Sequence, residues 1–155
     1  MTDYVAETAT KARPPIDSAQ AGEVKCLVGE LDLARDIGGA LSADDTVELV
    51  ALPAGHVPID AQIDTDALDT DGTPAIVLDV GRLDADGSGN ELMDGITEAQ
   101  NGGYHEMDQA GAMRQSVQEW DDTPYGITVA TGPATGATSG KLRFHLWVRV
   151  ADRGL

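Results

Sequence analysis

The sharpest alternation of apolar and polar positions lies near the C-terminal end of the chain. Leu142, Phe144, Leu146, Val148 and Val150 share one parity, and Lys141, Arg143, His145, Trp147 and Arg149 share the other. A period of two sends successive side chains to opposite sides of a pleated strand, so this segment predicts a strand with one apolar face. Val57, Ile59, Ala61 and Ile63 alternate in the same way with Pro58, Asp60, Gln62 and Asp64. Val24, Cys26 and Val28 share a parity, and Leu31 and Leu33 extend the apolar run past Gly29. Strands are also expected over residues 46–52 and 126–130. The unbroken apolar run at 75–80 is short enough to be a strand buried on both faces.

Turn chemistry separates these runs: Asp36-Ile37-Gly38-Gly39, Pro53-Ala54-Gly55, Asp69-Thr70-Asp71-Gly72-Thr73-Pro74, and the Gly- and Thr-rich stretch 131–140. Residues 91–120 are harder to read. Leu92, Met93 and Ile96 suit the start of a short helix, while Gly102-Gly103 and Gly111 interrupt anything longer, which gives a long, partly helical or irregular excursion. Residues 1–22 are polar and broken by Pro14-Pro15, the pattern of an extended N-terminal arm ahead of one domain over 23–155. About seven strands, many turns and no crossover helices predict an all-β fold, an antiparallel, jelly-roll-like β-sandwich.

Composition narrows the partners. A chain of 155 residues can bury one core without a metal or disulfide staple. Its formal net charge of −17 repels phosphate backbones and anionic membranes, so neither nucleic acid nor membrane is an expected partner. No segment reads as a signal peptide or a membrane span. The one cysteine, Cys26, allows no intrachain disulfide, which fits assembly in a reducing compartment. The acid is concentrated centrally: between Asp36 and Asp122 the only cations are Arg82 and Arg114. Contact through the two ends is therefore favoured. The candidate partner-binding residues are Tyr4, Lys11 and Arg13 in the arm and Arg143, Trp147 and Arg149 in the last strand, since Trp and Arg dominate interface hot spots.

No catalytic set emerges, and the chain does not read as an enzyme. His56, His105 and His145 are far apart, and no nucleophile elbow, zinc-protease motif or phosphate loop is present. Asp84, Asp86 and Ser88 fall at positions 1, 3 and 5 of a calcium loop, with Gly89 at position 6. Position 12, however, is Gly95 where a bidentate Glu belongs, so the loop reads as an acidic turn, and no metal or cofactor is expected.

Three segments carry a family resemblance. Residues 47–57 read Val-Glu-Leu-Val-Ala-Leu-Pro-Ala-Gly-His-Val. Residues 59–70 read Ile-Asp-Ala-Gln-Ile-Asp-Thr-Asp-Ala-Leu-Asp-Thr, and residues 74–81 read Pro-Ala-Ile-Val-Leu-Asp-Val-Gly. With the acidic Asp84-Ala85-Asp86 loop and the later Pro124-Tyr125-Gly126-Ile127, this series resembles a group of tailed-bacteriophage virion proteins. The resemblance implies a β-sandwich head decoration (cement) protein on the capsid exterior, assembled in the host cytoplasm. Its implied partners are the major capsid protein and further copies of itself, a trimer before a dimer. A tail or head–tail completion protein is the alternative, with a small calcium- or carbohydrate-binding module behind it.

Overall fold

The computed structural model describes residues 2–5, 24–84, 88–109 and 121–150. Among them nine strands form two sheets. In chain order these are β1 (Asp3–Val5), β2 (Lys25–Asp32), β3 (Thr46–Leu52), β4 (His56–Thr65), β5 (Val77–Arg82), β6 (Met93–Ile96), β7 (Gly103–Glu106), β8 (Thr123–Thr131) and β9 (Lys141–Val150). The five-stranded sheet runs β1-β3-β8-β5-β6 and the four-stranded sheet β2-β9-β4-β7. All pairings are antiparallel except β1 on β3, which is parallel. The expected antiparallel sandwich is the fold observed.

The core lies between the sheets. From the four-stranded sheet Leu31, Ala61, Ile63, Leu142, Phe144, Leu146 and Val148 point inward, and from the other Val47, Leu49, Leu78, Val80, Tyr125, Ile127 and Val129, all of them buried. β9 follows its sequence alternation residue for residue, apolar parity in and polar parity out.

Four segments depart from the sequence reading. In β2 it is Gly29 and Leu31 that are buried, while Val24, Cys26 and Val28 face solvent. Both parities of β2 are apolar there, so the pattern could not choose; the choice is made where Gly29 presses against the Leu49 carbonyl of β3, with no room for a Cβ. In β4 the register against β9 slips between Pro58 and Asp60, so Pro58 is buried and Val57 pairs with Arg149 on the other side. A bulge of this kind adds one residue and reverses the phase. Third, Leu92, Met93 and Ile96 do not begin a helix: Met93–Ile96 is β6, paired with β5, and a single 3₁₀ turn follows at Glu98–Gln100. Further, Val77 and Asp79 are half-buried, so the 75–80 run is not covered on both faces.

Within the segment expected to be an arm, Asp3–Val5 adds to the edge of β3. The Thr2 backbone N–H donates to the buried Asp45 carboxylate (3.1 Å), and the Thr46 hydroxyl donates to Asp3 (2.8 Å).

Candidate interaction surface

The outward parity of the four-stranded sheet forms a grid fixed by strand register. Its first row is Glu30, Arg143, Asp64 and Tyr104, on β2, β9, β4 and β7. The second is Val28, His145, Gln62 and Glu106, and the third Cys26, Trp147 and Asp60. Arg149, paired with Val57, continues the β9 column, and Val24 lies just ahead of β2. The large hydrophobics that stand exposed among the described residues are Val24 (53%), Val28 (57%) and Tyr104 (50%), and all three belong to this face. Cys26 adds to the apolar column of β2, and partial burial raises its thiol pKa. His145 and Trp147 meet edge to face, ring centroids 5.8 Å apart.

Five charges on this face answer one another. Lys141 Nζ donates to Glu30 (3.1 Å) and lies 3.6 Å from Asp32, while Arg143 bridges Glu30 and Asp64, each at 3.3 Å. Beside them Gln62, Ile63, Asp64, Tyr104, Arg143 and His145 line a shallow depression of about 290 Å³. The Tyr104 phenol is pushed up to about 12, by desolvation and then by the Glu106 carboxylate that accepts its hydroxyl at 2.8 Å.

The opposite side of the sandwich differs in sign. The five-stranded sheet turns Glu48, Asp79 and Asp94 outward, and the one Lys or Arg on its strands, Arg82, is buried against Asp84. On the described strands, the outward charges of the five-stranded sheet are thus acidic, whereas the four-stranded sheet mixes acids and cations with apolar side chains.

Of the six candidate partner-binding residues, Arg143, Trp147 and Arg149 come together on the β9 column. Tyr4 is on β1, at the other sheet, partly buried against the core. Lys11 and Arg13 lie outside the described residues. Sequence reasoning did not place Val24, Cys26, Val28 and Tyr104 on this surface. The available signal was that β2 is apolar on both parities, which leaves one apolar row without a core to enter.

The remaining chemistry is structural. His105 lies on the inward parity of β7, between Glu98 (3.0 Å) and Asp108 (3.2 Å), away from His145. In the acidic turn, Arg82 holds Asp84 (2.6 Å), and the Glu91 carboxylate accepts the backbone N–H groups of Ser88 and Arg82. Burial works to raise the Glu91 pKa, and those two N–H groups hold it below its ordinary value. Asp86 is outside the described residues. Among the described residues no three His, Cys, Asp or Glu side chains are placed to hold a metal ion.

No family model matches the chain, and no curated protein matches it. Among solved structures, a chain in the capsid of Ralstonia phage GP4 is 31% identical, with a TM-score of 0.83 over 97% of this chain and 99% of that one. The chain belongs to this family of phage capsid components. A chain of the cyanophage Pam1 capsid asymmetric unit, 24% identical, has a TM-score of 0.65 over 92% of this chain and 94% of its own, and shares the fold. As a capsid component the protein has its place in the virion, with capsid proteins as its partners, and a structural rather than enzymatic role follows from that membership.

Proposed function

We propose that this capsid component is a decoration (cement) protein: it binds the outside of the shell and stabilises it by bridging major capsid protein subunits. The observation that carries the proposal is the 31% identity to a capsid chain across nearly the full length of both chains. The net charge of −17 supports the reading, because it keeps free copies soluble and apart before they reach the shell. We further propose that the protein acts as a homo-oligomer, a trimer before a dimer, with residues 1–22 as an arm that is held at Asp3–Val5 on β3, with Tyr4 against the chain's own core, and whose Lys11 and Arg13 reach a neighbour. Several weak contacts made at once by one oligomer add through effective concentration.

The test uses shells assembled from the phage's major capsid protein without this chain. Purified protein added to them is expected to co-sediment at high copy number, spread over the shell exterior in images, and to raise the temperature at which shells open. A few copies confined to one vertex would instead make it a head–tail completion protein. Absence from the shell altogether would refute decoration.

A further inference from the structure

β6 and β7 are edge strands of different sheets, and the chain between and just after them closes that side of the sandwich. Backbone hydrogen bonds lace this segment to its surroundings. The Leu68 N–H donates to the Ala99 carbonyl (2.7 Å) and the Met107 N–H to that of Ala61 on β4 (2.8 Å). The Asp108 and Gln109 N–H groups both donate to Leu92, the residue ahead of β6, at 3.2 and 3.1 Å. One side chain ties the two ends of the lacing together: His105 Nδ1 lies 3.0 Å from Glu98 on the 3₁₀ turn, and its Nε2 lies 3.2 Å from Asp108. We propose that His105 is a pH-operated clasp, which as an imidazolium holds residues 97–109 across this edge and on losing its proton lets them open ahead of the rest of the sandwich.

The placement of the ring requires the charged form. Both nitrogens face carboxylate oxygens, which only accept, so each nitrogen must carry a hydrogen to make its bond. A neutral ring has a single N–H; one carboxylate would then face a nitrogen lone pair and lose its donor. Glu98 can least spare the bond. It is half-buried, its Oε2 is buried without a hydrogen-bond partner, and Gly103 packs so closely that a Cβ there would come within 3.2 Å of its Cγ. Burial tends to raise the Glu98 pKa, and the His105 bond is the largest contribution holding it below its ordinary value. At His105 burial tends to lower the pKa, and the bonds to Glu98 and Asp108 outweigh it and raise the value. Among the described residues no other charged group faces the ring. Its same-side neighbours on β4 are Ala61, Ile63 and Thr65, and Tyr104 and Glu106 point to the other side of β7. The clasp is therefore closed below the ordinary histidine value near 6.5 and releases as pH rises through the folded one.

The test is NMR on the full chain in solution. At about pH 6 the His105 ring is expected to show two protonated nitrogens. Amide exchange at Met107, Asp108 and Gln109, corrected for the intrinsic effect of pH, should be faster than at central β9 positions such as Leu146, the sign of a local opening. As the ring titrates to neutral, the corrected rates at 107–109 should quicken about two- to fivefold, the ratio expected from losing one partly exposed ion pair. In His105→Gln the corrected rates should stay flat with pH, and in Glu98→Gln the step should shrink and move to lower pH. A singly protonated ring at about pH 6, rates that do not change across the titration, or the same quickening in His105→Gln would each overturn the clasp. Protection at 107–109 equal to that of central β9 would mean that the segment opens only with the whole domain, and would overturn it as well.

Discussion

Replacing Gly126 by alanine tests the packing logic of the sandwich at its tightest point. Gly126 lies in β8 opposite Glu48, and the β3 register slips between Glu48 and Val50. That bulge carries the β3 backbone across the position a side chain would take. A Cβ built on Gly126 lands on the Val47 carbonyl oxygen, 2.9 Å from its carbon and 3.0 Å from the Leu49 nitrogen. All three obstacles are backbone atoms, so no rotamer change can make room. Nor can β8 retreat, since β5 is paired along its other edge. Overpacking a tight interior costs about 1–3 kcal/mol, and forcing two strands apart adds about 1 kcal/mol for each ladder hydrogen bond lost, so the expected loss is about 3 kcal/mol. For a domain of this length that lowers Tm by about 6–12 °C. Gly39→Ala is the control, because a Cβ there meets nothing within 4 Å. Thermal melts and urea titrations of both variants measure the difference. If Gly126→Ala melts within 2 °C of the parent with the same urea slope, the bulge does not constrain β8 and the reasoning fails.

Two further predictions concern pH. The buried Asp69 carboxylate accepts the backbone N–H groups of Ala75 (2.8 Å), Ala134 (2.8 Å), Thr135 (3.0 Å) and Asp71 (3.1 Å), joining two loops. Burial tends to raise its pKa, but those donors hold it well below the carboxylate range. Its stabilisation is therefore full at neutral pH and is lost only as pH falls from the ordinary carboxylate value toward the depressed one. Asp69→Asn should melt lower than the parent at pH 7, with the gap closing in acid; a gap that widens in acid would contradict this. At His105, burial works to lower the pKa, and hydrogen bonds to Glu98 and Asp108 outweigh it and raise the value. A raised histidine stabilises fully below its ordinary value near 6.5 and loses that contribution as pH rises through the folded value. The parent should thus lose Tm relative to His105→Gln on going from pH 6 to pH 8, and parallel curves would refute the role.

The fold was legible where one parity is apolar and the other is not. β9 alternates cleanly, so its inner and outer faces could be read directly. Where both parities are apolar the pattern carries no sign. In β2 the close approach of Gly29 to Leu49 decides the matter, and that contact joins residues from different sheets. The β4 bulge was hidden for a related reason: Val57, Pro58 and Ile59 are all apolar, so a slip of one residue leaves the local pattern acceptable. β6 has helix-like spacing, but its partner across the sheet overrides a four-residue preference. The surface was half legible. Arg143, Trp147 and Arg149 stood out because they occupy the polar parity of an unmistakable strand. Tyr104 did not, because its short strand becomes readable only through its pairing with Asp64 on β4. Asp69 was legible only as part of a turn, since the N–H donors from 134 and 135 lie some 65 residues away in the chain.

Charge sets a final expectation, in which two electrostatic contributions act in opposite directions. If shell binding were carried by ion pairs across the interface, adding salt would weaken it. On the outer face of the four-stranded sheet Lys141 and Arg143 are already paired with Glu30, Asp32 and Asp64, which leaves them less free to make such pairs. Salt should then act mainly on copies packed side by side, each carrying a formal −17. A domain of this length has a radius of gyration of about 15 Å. Adjacent copies on a lattice therefore approach well within the roughly 30 Å screening length at 0.01 M salt, but only their facing edges fall within the roughly 8 Å length at 0.15 M. Neighbour repulsion is consequently large in dilute buffer and small at physiological salt. Occupancy of shells at a fixed subsaturating concentration should rise severalfold between those two conditions, most steeply near full coverage, where neighbours are unavoidable. Quantitative co-sedimentation across a salt series measures it. A monotonic fall in occupancy would mean that interfacial ion pairs outweigh the repulsion between neighbours.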